Sequence, residues 1–418
     1  MAQNMDVVIV GGGAVGVCSA YYLNEAGHDV TLIERRQICS GSSHGNAGLI
    51  VPSHSIPLAA PGIVAQGIKW MFDPESPFYI KPRLDLDLIS WLWRFWLCST
   101  KGQVRKGIPL IRDLSYASLQ LFDDLSKLEG ADFGLHKKGM LDIFDTQAGL
   151  DAACADAELL VKNGLAVDVL TPAQVKNLIP ELKVNTTGAV HHKRDGHIKP
   201  QKFVADISQH LKRNGVDVRE NTEVIGFETR GASIKTVQTT RGTLHPKEIV
   251  LTAGSWSNHI GTMLNLSLPI QPAKGYSVTV QRPDKWPEMP MVLAEAKVGV
   301  TPMMDTLRFA GTLELAGFDE SVNQRRVDAI LKAVPRYLPE VDVSTLETVE
   351  VWRGLRPCTP DGLPFLGRPS SYENLVLAAG HAMIGVSLSP VTGKLVSQLI
   401  AGEQPIIEIG ALHADRFN

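Results

Sequence analysis

Cysteine is scarce in this chain, and its five copies (Cys18, Cys39, Cys98, Cys154 and Cys358) stand far apart. No C-x-x-C pair occurs, which argues against a thiolate metal centre and leaves a disulfide framework without support. Such usage fits a reducing compartment. Long apolar runs are lacking too, since no window approaches the ~18 consecutive apolar residues of a membrane-spanning helix. Neither sign of charge dominates: 41 basic and 44 acidic side chains leave a formal net charge of −3. The basic footprint of a nucleic-acid binder is therefore absent. There is no low-complexity tract and no internal repeat of about 20–50 residues. The apolar amino-terminal segment lacks a basic flank and is interrupted by glycines, so it is expected to be mature structure and not a cleaved signal. At 418 residues the chain exceeds a single core, and two domains are expected.

What the chain does have is concentrated at its start. DVVIVGGG (6–13) is a β-branched run suited to a central parallel strand buried on both faces. It leads into Gly11-x-Gly13-x-x-Gly16, a helix predicted over 14–26, a stop at Gly27, and a second strand over 28–34 ending on Glu34. Gly11 makes the tight turn, Gly13 lets a pyrophosphate approach the backbone, and Gly16 lets the helix pack on the strand. The helix start at Ala14 and Val15 offers free N–H groups and a positive potential. Glu34, followed by Arg35, is placed to accept hydrogen bonds from ribose hydroxyls, and an acid there disfavours NADP. In this order the parts predict a Rossmann-like dinucleotide domain, with NAD and FAD both open.

CSGSSHGNAGLIVPSHSIPLAAPG (39–62) is predicted to be a loop, where an NAD fold would continue with helix and strand. Its S-x-x-N-A-G element (Ser43, Asn46, Ala47, Gly48) and AAPG (59–62) resemble the D-amino-acid oxidase superfamily of FAD enzymes. Within it they best fit the bacterial D-amino-acid dehydrogenases of the small-subunit type. EIVLTAGSWS (248–257) resembles the superfamily's A-G-x-W-S element, which implies that Ala253, Gly254 and Trp256 pass close to the cofactor. The strand after Asn221-Thr222 implies Val224 beside the adenine. VWRGLRPCTPDGLPFLG (351–367) resembles G-x-R-P-x-T-x-D-G-x-P-x-x-G, and residues 374–400 read as strand, glycine-flanked loop and helix. The resemblance spans the chain in the superfamily's order.

The resemblance implies FAD, and oxidative deamination of a D-amino acid by hydride transfer from Cα to flavin N5. A quinone or another carrier would then take the electrons. It implies cofactor contacts from Ser42, Ser43, Asn46, Ala47, Gly48 and Leu49. Further contacts come from Gly380, Met383, Ile384, Gly385, Val386 and Ser387, ahead of the last helix, where N–H groups meet the charge near flavin N1. Arg356 matches the arginine that holds the substrate carboxylate, as a planar, permanently charged fork should. Arg353 reads as structural; Arg308 is a candidate second carboxylate contact but reads rather as a solvated strand residue. No protein base is required if the amine binds deprotonated, so no catalytic residue is assigned. The superfamily's carboxylate-helping tyrosine falls on Val298. Tyr276 and His54 are candidate substitutes, and His381 is a candidate lining residue. Covalent relatives attach FAD through a histidine at the position of Gly45. His44 is one residue off, so FAD is expected to be non-covalent, and no metal is expected. A D-proline or D-hydroxyproline dehydrogenase, an oxidase using O₂, and the FAD-binding subunit of a hetero-oligomeric dehydrogenase stay open, as does homo- or hetero-oligomer formation.

The FAD unit is expected to be discontinuous (1–75, 195–270 and 345–418) and of the glutathione-reductase type. The substrate domain (76–194 and 271–344) is expected on a mixed or antiparallel sheet, with an amphipathic helix over 321–339 outside it. In ISWLWRFWLCST (89–100), Trp91, Leu92 and Phe95 share one helical face, and Trp93, Trp96 and Leu97 another. The apolar stretch 88–98 is too short to span a bilayer. It reads as a core helix or as a docking element on a membrane surface. Lys69, Lys81, Arg83, Lys101, Arg105 and Lys106 favour docking, and Asp85 and Asp87 oppose it. A quinone reductase has a reason to dock, so the expected location is cytoplasmic, with contact at the inner face of the membrane as a candidate.

Overall fold

The computed structural model describes residues 4–71 and 76–417. The expected domain ends at 1, 75 and 418 lie outside the described residues.

The strand Asn4–Val10, buried over Val7–Val10, runs parallel to Gly242–Leu251 on one side and to Val30–Ile33 on the other. Asp217–Arg219 extends the sheet beyond Val30–Ile33. Leu375–Ala379 lies parallel to the end of Gly242–Leu251. The first half of that long strand instead pairs antiparallel with Ser233–Thr239, which pairs in turn with Val224–Arg230. Helices Ala14–Glu25, Pro200–Arg213 and Ser389–Ala401 supply the apolar layer on one face. The predicted helix stop at Gly27 holds: it takes positive φ, at 85°, as does Gly215 after Pro200–Arg213, at 84°, where a Cβ would be strained.

A second sheet has the order Thr348–Cys358, Gln271–Gln281, Thr306–Leu315, Val298–Met303, Met291–Leu293, Met140–Phe144, Gly188–His192 and Val167–Leu170. It is mixed, since Met291–Leu293 runs parallel to Met140–Phe144 and antiparallel to Val298–Met303. The architecture is thus a Rossmann-like unit joined to a second unit built on a mixed sheet.

Three sequence readings shift. Thr348–Cys358, expected within the FAD unit, is the edge strand of the second sheet, paired along Gln271–Gln281. Helix Lys101–Leu125, expected in the substrate domain, packs Ile111, Leu114 and Phe122 into the core under the Rossmann helices. The outer helix ends at Gln324–Lys332, and Val334–Tyr337 forms a separate turn, because Pro335 has no N–H with which to continue it.

The tryptophan run is helix Leu86–Cys98, started by Asp85, whose side chain accepts from Leu88 N at 3.1 Å. Its two faces separate as the spacing predicts. Trp91 is buried, donates Nε1–H to the Cys358 carbonyl at 3.0 Å and stacks on Phe95 at 5.1 Å. Trp93 and Trp96 are 59% and 53% exposed.

Candidate active site

At residues 11–16 the backbone itself makes the surface. Gly11 has φ +116°, and a Cβ there would lie 2.7 Å from the Thr252 carbonyl oxygen. A Cβ on Gly16 would lie 1.8 Å from the Gly11 carbonyl oxygen, so the helix sits directly on the strand end. Ser43 Oγ accepts from Ala14 N at 3.0 Å, beside Gly13. First-turn amides have no acceptor within their own helix and face outward for an anion. The Glu34 carboxylate accepts from Gly12 N at 2.8 Å and Arg36 N at 3.0 Å, which fixes it at the lip of the turn with lone pairs to spare.

These groups line one end of a cavity of about 890 Å³, where Gly11, Gly13, Ala14, Val15, Glu34 and Arg35 meet Val224. Ala253, Gly254 and Trp256 continue the wall, and the Arg35 guanidinium lies 3.8 Å over the Trp256 ring. Ser42, Ser43, Asn46, Ala47 and Leu49 come from the early loop, and Gly380, Met383, Ile384, Gly385 and Val386 from the late one. Bare glycine backbone, the first-turn end of a helix and a fixed carboxylate fit a dinucleotide such as FAD.

Two predicted contacts fall one layer back. Gly48, at φ +71°, packs on Ile198, whose carbonyl oxygen would be 2.2 Å from a Cβ. It shapes the loop and does not line the cavity. Ser387 Oγ accepts from Val51 N at 3.2 Å and its carbonyl accepts from Ser118 at 2.6 Å, so it ties the loops together from behind. Gly16 is also beneath the wall, as its packing role requires.

Arg308 departs furthest from its reading. It is fully buried, not solvated. Its Nη1 donates to the carbonyls of His44 and Asn46 at 2.8 and 2.9 Å, and Nε to Thr279 at 3.0 Å. It hangs the early loop from the second sheet and takes no place on the cavity wall. Burial pushes it down to about 10, against the Glu350 carboxylate.

Arg356 does reach the wall. It lies over Gly275, where a Cβ would clash with Nη1 at 1.9 Å, and Nη1 donates to the Thr312 carbonyl at 2.6 Å. Among the described residues no carboxylate pairs with it. Burial lowers its pKa, with the Cys358 thiol opposing. Arg353 lies close by and is paired: Nη2 is 3.4 Å from the Glu320 carboxylate.

Tyr276 is a correction. It is 1% exposed, packs with Val298 in the core on the outer side of the sheet, and donates its hydroxyl to Glu314 at 2.9 Å. Neither residue lines the cavity. His54 does, with its side chain exposed toward it. Burial lowers its pKa, Asp142 opposes, and His192 and Lys297 add to the lowering. His381 also lines the wall, with Nε2 3.0 Å from Thr392 Oγ1. Burial pushes it down to about 4, which leaves it neutral near pH 7.

Sequence reasoning missed Thr312, Trp352 and Lys297 on the wall. Lys297 sits in a tight turn at φ +54°, a strained conformation for a residue with a Cβ. No motif announces it.

Residues 6–399 match the family described as FAD dependent oxidoreductase (DAO). The chain belongs to this family. Over 420 residues, 98% of both chains, it is 33% identical to a D-amino acid dehydrogenase of Granulibacter bethesdensis. Over 421 residues, 99% of both chains, it is 32% identical to a D-amino acid dehydrogenase of Bradyrhizobium diazoefficiens. Among solved structures, its fold is similar to glycine oxidase from Geobacillus kaustophilus, with TM-score 0.81 and 24% identity over 100% of both chains. It is also similar to L-proline dehydrogenase from P. horikoshii, with TM-score 0.77 and 22% identity over 100% of this chain and 98% of the other. As a member of the DAO family, the chain takes FAD.

Proposed function

We propose that this chain is a D-amino-acid dehydrogenase that binds the substrate carboxylate on Arg356. The observation that carries this reading is the guanidinium itself, which lines the cavity without a protein carboxylate. A charge held there without a partner is costly, and a bidentate carboxylate offsets that cost. With Nη1 anchored to Thr312, the fork is oriented before substrate arrives. When bound, FAD supplies the acceptor for the hydride. His381 is neutral and His54 is pushed toward neutrality, so neither adds a second permanent cation beside Arg356. The test is a panel of D- and L-amino acids, with D-proline and D-hydroxyproline included, added without air to the purified yellow protein. Bleaching by D-isomers is expected. Bleaching by L-isomers alone would overturn the reading.

His44 supports a non-covalent flavin: it is off the cavity wall, with Nε2 3.0 and 3.1 Å from the Glu350 carboxylate. Acid precipitation should leave the yellow colour in solution; colour in the pellet would refute this.

The acceptor is a lipophilic carrier reached from a membrane surface. Ile63, Val64, Trp70, Trp91, Leu92 and Phe95 give the cavity an apolar flank. The other face of helix Leu86–Cys98 turns Leu86, Ile89, Trp93, Trp96 and Leu97 outward. Arg83 is paired to Asp85 at 2.8 Å and Lys81 lies 3.5 Å from Asp319, but Lys69, Lys101, Arg105 and Lys106 are exposed. Together they suit an anionic bilayer. No described helix is long and apolar enough to cross one. Trp93→Ser with Trp96→Ser should abolish co-sedimentation with anionic vesicles and leave turnover with a soluble dye unchanged. Unaltered sedimentation would return this face to another role, and stoichiometric peroxide release would make O₂ the acceptor.

A further inference from the structure

Behind the early cofactor loop lies a cluster that the flavin chemistry does not use. His136 and His197 are cross-strand partners: His136 N donates to the His197 carbonyl at 3.0 Å and His197 N to the His136 carbonyl at 2.9 Å. Such a pair projects both side chains to one face, and the imidazoles stack with centroids 5.1 Å apart. Glu288, from the connection after Gln271–Gln281, brings Oε2 to 3.7 Å from His136 Nε2. One ligand atom from each of the three residues lies within 4.8 Å of the others.

His197 is the decisive residue. It is 1% exposed, and neither Nδ1 nor Nε2 has a partner. Among the described residues no other histidine has both ring nitrogens buried and unsatisfied. A buried polar side chain left this way costs stability unless something outside the chain completes it. The neighbours that are satisfied point to the same place. Arg282 Nη2 holds Glu288 Oε1 at 2.5 Å, which orients the carboxylate with Oε2 toward the imidazoles, while its charge offsets part of the carboxylate's.

We propose that His136, His197 and Glu288 form a site for a divalent transition cation of the zinc class. Two imidazoles and one carboxylate favour such a cation over magnesium or calcium, which prefer all-oxygen sets. Tetrahedral ligands at zinc stand about 3.3 Å apart. His136 and Glu288 are both partly exposed and close that gap by side-chain rotation, leaving a fourth position for water. The cation clips together three distant stretches: the segment before Met140–Phe144, the short strand Gly196–His197, and the connection carrying Glu288. Leu49, on the cavity wall, is the register partner of His197, so the clip braces the wall that the cofactor loop rests on.

The test uses the flavin-loaded enzyme, stripped with chelator and titrated calorimetrically with zinc chloride alone. One equivalent per chain is expected. His136→Asn and Glu288→Gln, at partly exposed positions, should each weaken binding by about tenfold or more, with flavin content unchanged. Zinc should raise the thermal midpoint of the wild type and fail to raise that of His197→Ala. An absence of stoichiometric binding would overturn the site, as would equal affinity in His136→Asn, Glu288→Gln and wild type. Either result would leave water as the partner of His197.

Discussion

At the glycine-turn end of the cavity the wall is main chain: Gly11, Gly13 and the amides beginning helix Ala14–Glu25. At the Arg356 end it is side chains. Arg356 comes from an edge strand, Lys297 from a turn and His54 from a loop. The first needs one short contiguous stretch and tolerates almost any side chain that does not intrude. The second exists only after remote segments meet, and depends on what each side chain carries. Cofactor affinity should therefore be sensitive to added bulk, and substrate affinity to lost charge.

The sharpest way to break this contrast is Arg356→Ala. Removing the proposed carboxylate partner should cost about 3 kcal/mol, roughly a hundredfold in kcat/KM, with flavin content unchanged. Arg356→Lys should recover only part of the loss, because an ammonium lacks the fork. Normal turnover in the alanine variant would move the carboxylate site elsewhere. At the other end, Gly16→Ala adds one methyl against the Gly11 carbonyl. Overpacking of about 1–3 kcal/mol should weaken FAD binding roughly tenfold to a hundredfold, read by titrating stripped protein with FAD. Undiminished binding would mean that the turn can shift, and would blur the contrast.

A smaller effect lies behind the loop that joins the two ends. Asp195 is buried and accepts from Ser53 N at 3.2 Å. Burial raises its pKa from 3.8 to about 7, against His192 and the Ser53 hydrogen bonds. Between those values the folded chain keeps a proton that the unfolded chain has released, so this group's contribution to stability falls as pH rises from about 4 to about 7. Asp195→Asn removes that titration. The difference in thermal midpoint between pH 5 and pH 8 should narrow by on the order of a few degrees. An unchanged difference would show that Asp195 is ionised throughout.

The same contrast explains what could be read in advance. Gly11, Gly13, Gly16 and Glu34 were legible because their spacing is local and each fills a geometric need. Arg356 was legible through the resemblance of its surrounding motif. Tyr276 was misplaced because Gln271–Gln281 is buried along nearly its whole length. With both faces covered, the alternation that would show which side chains face the cavity disappears. Arg308 was misread for a related reason: a charged residue in a strand normally points to water, and only tertiary structure supplies the carbonyls that make its burial tolerable. Lys297 had no signal, because a left-handed turn is a property of the folded hairpin. The tryptophan helix was legible as two faces, since periodicity alone separates them.

Arg308 also bears on how the enzyme is made. Its contact with the His44 carbonyl joins residues 264 positions apart in sequence. The loop that lines the flavin cavity therefore gains its final shape only once the middle of the chain has emerged and paired into the second sheet. Contacts of such long range form late and slowly. The amino-terminal glycine turn, though synthesised first, should mature last as a cofactor site, so that flavin capture follows the assembly of both sheets and does not seed it.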